Sequence, residues 1–82
     1  MKVTIYSTKT CPYCHLAKDY LNSKKVDFEE VLLDDHPGKA QEAIKTCNSL
    51  GVPCIKVEQD DGSVVGILGF DKPKLDIALG LS

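Results

Sequence analysis

The stretch Lys9-Thr10-Cys11-Pro12-Tyr13-Cys14-His15 lies where one periodicity stops and another starts. Before it, residues 2 to 7 set Val3 and Ile5 against Thr4 and Tyr6, the two-residue alternation of a strand. After it, Tyr13, Leu16, Ala17, Tyr20 and Leu21 follow the i, i+3, i+4, i+7, i+8 spacing of one helical face, with Lys18, Asp19, Asn22 and Ser23 opposite, which predicts a helix over residues 13 to 25. Pro12 suits the first turn of that helix, where its missing N–H costs nothing and its fixed φ is already helical. The start of the chain is therefore committed to a strand, a short loop and a helix that begins at a cysteine.

A cysteine at a helix N-terminus meets unpaired backbone N–H groups and the positive end of the helix dipole, both of which favour a thiolate. Lys9 adds a positive charge nearby. Cys14, three residues before Ala17 and seven before Leu21, faces the protein and is the less accessible thiol. The expected division of labour is that Cys11 attacks and Cys14 resolves. The rival reading is half of a structural zinc site, which needs a second paired set of ligands; Cys47 and Cys54, seven apart, do not form one. His15 faces outward by its period. Cys47 falls on an apolar helical face and reads as a small core residue, while Cys54 reads as a buried strand residue or an accessory thiol near the active site.

Further along, Val26 to Leu33 is rich in β-branched and aromatic residues, and the apolar run Val31-Leu32-Leu33 suits a strand covered on both sides. A right-handed crossover makes it parallel to the first strand. Asp34, Asp35, His36 and Pro37 open a second helix with Ala40, Ala43, Ile44 and Cys47 on one face and Gly51 as its stop. Residues 53 to 58 and 63 to 68 form a hairpin around Asp61-Gly62, a two-residue turn signal, and Gly69 ends the second of these strands. Asp71 caps a last helix with Pro73 in its first turn and Leu75, Ala78 and Leu79 inside. The order βαβαββα predicts an α/β fold, a four-stranded mixed sheet with helices on both faces, over a single domain spanning residues 1–82.

Composition narrows the function classes. All ten basic residues are lysines and the net charge is −2, so bidentate reading of nucleic acid or phosphate is not expected. No apolar run approaches the ~18 residues needed to span a bilayer, and the first residues enter a strand at once, so a cytoplasmic protein with no membrane partner is expected. In that compartment a Cys-x-x-Cys beside a βα unit points to redox chemistry or a metal more often than to a disulfide staple.

Three motifs now stand in order: Lys9-Thr10-Cys11-Pro12-Tyr13-Cys14, Gly51-Val52-Pro53 and Gly69-Phe70-Asp71. With them the chain resembles a glutaredoxin of the thioredoxin fold over essentially its whole length. The resemblance implies a monomeric thiol–disulfide oxidoreductase that reduces glutathione mixed disulfides and protein disulfides, with glutathione as co-substrate and no metal or organic cofactor. It implies that Pro53 is cis, so that the backbone of Val52 pairs with the peptide of glutathione. Gly69, Phe70 and Asp71 would meet the γ-glutamyl end, Lys9 would contact glutathione, and Tyr13 would flank the cleft. Two departures bear on the electron donor. Cys54-Ile55-Lys56 follows the proline where the family usually has a larger polar residue and then an aromatic one, and Gly69-Phe70 recurs in glutaredoxin-like proteins reduced by thioredoxin reductase. The alternatives are thus a carrier served by that flavoprotein, or a module binding an iron–sulfur cluster or zinc through its thiols.

Overall fold

The computed structural model describes residues 1–48 and 51–80. In chain order it contains β1 (Lys2–Ser7), α1 (Pro12–Ser23), β2 (Glu29–Leu32), a 3₁₀ turn (Pro37–Lys39), α2 (Ala40–Cys47), β3 (Cys54–Glu58), β4 (Val64–Leu68) and α3 (Lys72–Leu79). The strands form one mixed sheet in the order β2-β1-β3-β4, with β1 parallel to β2 and the other pairs antiparallel.

Helices cover both faces. On one, Val3, Ile5, Ile55, Val57 and Ile67 pack against Ala17 and Leu21 of α1 and Leu75 and Leu79 of α3. A hydrogen bond from the Tyr20 hydroxyl to the Asp76 carboxylate ties these two helices together. On the other face Tyr6 and Cys54 pack against Ala43 of α2, flanked by Val31, Leu33 and Cys47. β1 is therefore buried on both sides: Thr4 and Tyr6, the polar half of its alternation, are buried along with Val3 and Ile5.

Several local expectations need correction. The run Val31-Leu32-Leu33 is only half-buried, because β2 is an edge strand with β1 as its one neighbour. α1 buries a narrower stripe than its apolar spacing suggests: Cys14, Ala17 and Leu21 are inside, whereas Leu16 and Tyr13 are exposed. At about 100° per residue Leu16 lies about 200° round the helix from Cys14, on the far side of that stripe. The stop of α2 is Asn48 in the left-handed conformation, a state asparagine tolerates, and not Gly51. The hairpin loop has three residues instead of two. The Gln59 N–H donates to the Ser63 carbonyl and the Gly62 N–H to the Gln59 carbonyl, with Gly62 at φ 92°, the pattern of a turn closed by a left-handed glycine.

Neither Cys47 nor Cys54 is a free thiol: they are joined in a disulfide, their Cα atoms 6.2 Å apart. Both are placed where their periods put them, on the inner face of α2 and in the covered β3. Gly66 allows the approach that joins them. A Cβ there would stand 2.0 Å from the Thr46 carbonyl oxygen, so only a glycine lets the last turn of α2 lie this close to β4.

Candidate active site

All three motifs leave the sheet at one end. The register pairs Tyr6 with Cys54 and Cys54 with Leu68, so the end of β1, the start of β3 and the end of β4 are neighbours. The loop bearing Cys11 follows the first, Val52 and Pro53 precede the second, and Gly69, Phe70 and Asp71 follow the third. The Val52–Pro53 peptide is cis, and the Pro53 carbonyl accepts the Gly69 N–H at 2.7 Å, joining the second motif to the third.

Cys11 is the N-cap of α1, and its Sγ accepts the Cys14 N–H at 3.2 Å. Pro12 follows as the first helical residue, so the N–H that its ring lacks is one the helix could not have used. Cys11 and Cys14 are both free thiols. Cys11 keeps 7% of its surface exposed and Cys14 1%. Burial and a hydrogen bond to Cys11 push the Cys14 thiol up to about 12, leaving it a neutral, shielded S–H donor beside the Cys11 sulfur.

Beneath this pair lies a polar cluster that the periodicity hides. Lys18, assigned by its spacing to the outer face, instead turns its ammonium to Glu30 of β2 at 2.6 Å, and the fully buried Ser7 donates to the same carboxylate oxygen at 3.0 Å. Bonding to Lys18 holds the Glu30 carboxyl below its ordinary range. The charge of Lys18 also favours the anionic form of Cys14, opposing the burial that disfavours it. A lysine with a glutamate twelve residues on carries no recognisable spacing, so this contact belongs to the crossover and not to any motif.

The other candidate residues are distributed as follows. The Lys9 ammonium pairs with Asp35 at 3.2 Å while its backbone N–H donates to Asp34 at 2.7 Å, which pins the loop before Cys11 to the end of β2. Tyr13 stands 61% exposed beside Cys11. Phe70 packs its ring edge-on to Tyr20 at 5.8 Å, so its partly buried side chain lies against the α1–α3 core. Asp71 caps α3, one oxygen accepting the Lys74 N–H at 3.2 Å, and the other lies 3.9 Å from the Lys74 ammonium. Among the described residues no three His, Cys, Asp or Glu side chains are grouped as a metal would need, and no helix is long and apolar enough to cross a membrane.

A small neutral alkylating reagent is expected to modify Cys11 and leave Cys14 untouched between about pH 5 and pH 9. Mass mapping after a timed quench checks this, and modification of Cys14 first would reverse the two roles. The same burial links Cys14 to stability. Its ionisation in the fold lies above its ordinary 9.0, so its contribution is complete below that pH and is lost as pH climbs towards about 12.

A family model described as Glutaredoxin matches residues 3–61. An uncharacterized glutaredoxin-like 8.6 kDa protein in the rubredoxin operon of Clostridium pasteurianum is 39% identical over 74 residues, covering 90% of this chain and 92% of that protein. Glutaredoxin 3 of Escherichia coli K12 is 45% identical over 56 residues, 68% of each chain. Among solved structures, the glutaredoxin of Archaeoglobus fulgidus superposes with a TM-score of 0.80 at 25% identity, over 95% of this chain and 85% of that one.

Proposed function

Because the chain belongs to the glutaredoxin family, and so is a thiol–disulfide oxidoreductase, we propose that it uses glutathione as its co-substrate. The Cys11 thiolate attacks the glutathionyl sulfur of a mixed disulfide; a bond forms between Cys11 and glutathione as the substrate thiolate leaves. A second glutathione thiolate then attacks that sulfur, releasing glutathione disulfide and restoring Cys11. On protein disulfides Cys14 resolves the mixed disulfide instead, and glutathione reduces the resulting Cys11–Cys14 bond. The enzyme acts as a monomer in the cytoplasm, on glutathionylated or disulfide-containing proteins, and requires no metal or organic cofactor.

The observation that carries this reading is the Cys14 N–H aimed at Cys11 Sγ at 3.2 Å, beside a second thiol kept neutral. One cysteine is thereby served as the attacking anion and the other held back until a mixed disulfide forms. Glutathione recognition would fall to the backbone of Val52, Gly69 and Phe70, with Asp71 for the γ-glutamyl ammonium. The Asp71 oxygen near Lys74 makes no hydrogen bond shorter than 3.9 Å to it, which leaves that oxygen able to accept one from a ligand.

A coupled assay on a small glutathione mixed disulfide tests the donor. Glutathione with its reductase is expected to sustain turnover and thioredoxin reductase is not; the opposite result would make this a carrier served by the flavoprotein. Asp71→Asn separates capping from recognition, since asparagine caps as well as aspartate. Stability and Cys11 alkylation should hold, while KM for the mixed disulfide rises about three- to thirtyfold as a charge-assisted bond is lost. An unaltered KM would reduce Asp71 to a cap.

A further inference from the structure

We propose that the Cys47–Cys54 disulfide is a second thiol–disulfide exchange site, entered by a low-molecular-weight thiol at Cys47 Sγ and not at Cys54. The proposal uses neither Cys11 nor Cys14, so it stands or falls apart from the choice of electron donor.

The two sulfurs differ in access because of where the fold puts them. Cys54 opens β3 and is 0% exposed, covered by α2 on one side and paired to Tyr6 and Leu68 of the neighbouring strands. Cys47 is the last residue of α2, half-buried, next to the exposed Asn48. The disulfide thus joins a covered strand to a half-buried helix end. Displacement at a disulfide is in line, with the attacking thiolate opposite the departing sulfur. Attack on Cys47 is therefore open at the half-buried C-terminal end of α2, whereas Cys54 has no exposed surface to approach.

The opened state is already accommodated. Cys54 Sγ lies 3.6 Å from the Ala43 carbonyl oxygen. While the disulfide stands this is a contact without a proton; once the bond opens, the Cys54 S–H donates to that oxygen and no buried donor is left unpaired. In the first step a bond forms between the incoming thiolate and Cys47 Sγ, the Cys47–Cys54 bond breaks, and Cys54 leaves as a thiolate that takes a proton from water. A second thiolate attacks the added sulfur and frees Cys47. The small thiol is oxidised to its disulfide and the protein gains two electrons. Departure of a thiolate into a covered site is unfavourable and its return correspondingly favourable, so exchange here is slower than at Cys11 and the Cys47 adduct is caught only by rapid quenching.

The test uses the oxidised full chain carrying Cys11→Ser and Cys14→Ser, with glutathione as the thiol. Quenching by alkylation and fragment-ion mapping locates the adduct. Native Cys14→Ser protein whose Cys11 is blocked by alkylation serves as the second preparation should the double variant not fold. The expected result is a glutathione adduct on Cys47 in at least about tenfold excess over Cys54. Equal labelling of both sulfurs would overturn the proposal, as would a bond that opens only when denaturant unfolds the chain, or the absence of any Cys47–Cys54 bond in the oxidised native protein.

Discussion

Cys11→Ser lowers kcat/KM on a small glutathione mixed disulfide by more than about a thousandfold, whereas Cys14→Ser keeps it within about tenfold of the parent. The asymmetry follows from what each sulfur touches. Cys11 Sγ is the atom to which the Cys14 N–H points, and no other described thiol stands at a helix N-terminus to take over its attack. A serine hydroxyl in the same place is protonated at every working pH and cannot form the glutathionyl intermediate. Cys14 contributes its backbone N–H, which serine retains, and a neutral S–H that the glutathione cycle never consumes. On a protein disulfide the two variants converge, because resolution needs the second sulfur. Steady-state rates on both substrate types, with glutathione reductase as the coupling enzyme, read out the pattern. A loss in Cys14→Ser as large as that in Cys11→Ser on the small substrate would mean an obligatory dithiol cycle.

The order of elements and the dithiol's position were legible in the sequence because both are set locally. A period of two passing into a period of 3.6 at Cys11-Pro12 fixes a strand, a loop and a helix without reference to anything distant. The same holds for Asp71 and Pro73, which cap and start α3 from within four residues. The misread features depend on neighbours. Val31 and Leu32 look like an interior strand until the order β2-β1-β3-β4 puts them at an edge. Tyr6 looks like part of a solvent face until α2 covers it. Lys18 looks like a solvated helix residue until the crossover brings Glu30 beneath it. The disulfide is the clearest case. Each of its cysteines lies on the face its period predicts, yet the compartment expected of this chain argues against a bond, and the seven-residue spacing runs from a helix end to a strand start whose relative placement only the packed sheet decides.

That packing rests on Gly66, and Gly66→Ala is expected to destabilise the protein by about 3 kcal/mol or more. On propensity alone the substitution should help, since glycine in a strand interior costs roughly 0.5–1 kcal/mol relative to alanine. Any net loss therefore measures the contact. The added methyl would meet a backbone carbonyl oxygen, that of Thr46, at 2.0 Å, and the Thr46 side chain at 3.0 Å. A side chain could rotate away, but the carbonyl belongs to the last turn of α2, so the helix end itself must lift from β4. In a domain of this size such a loss lowers Tm by roughly 10–20 °C. The displacement has a chemical consequence as well, because Thr46 directly precedes Cys47. Lifting that turn draws Cys47 away from Cys54, whose position is held by its pairing in β3, so the variant should also re-form the disulfide more slowly after reduction. Cys11 lies on α1, across the sheet from this contact, and its alkylation rate should be unchanged. Melting followed by circular dichroism, with thiol counts during reoxidation, gives both readings. A Tm within a few degrees of the parent would show that α2 can shift without cost, and Gly66 would then not be what holds its last turn against the sheet.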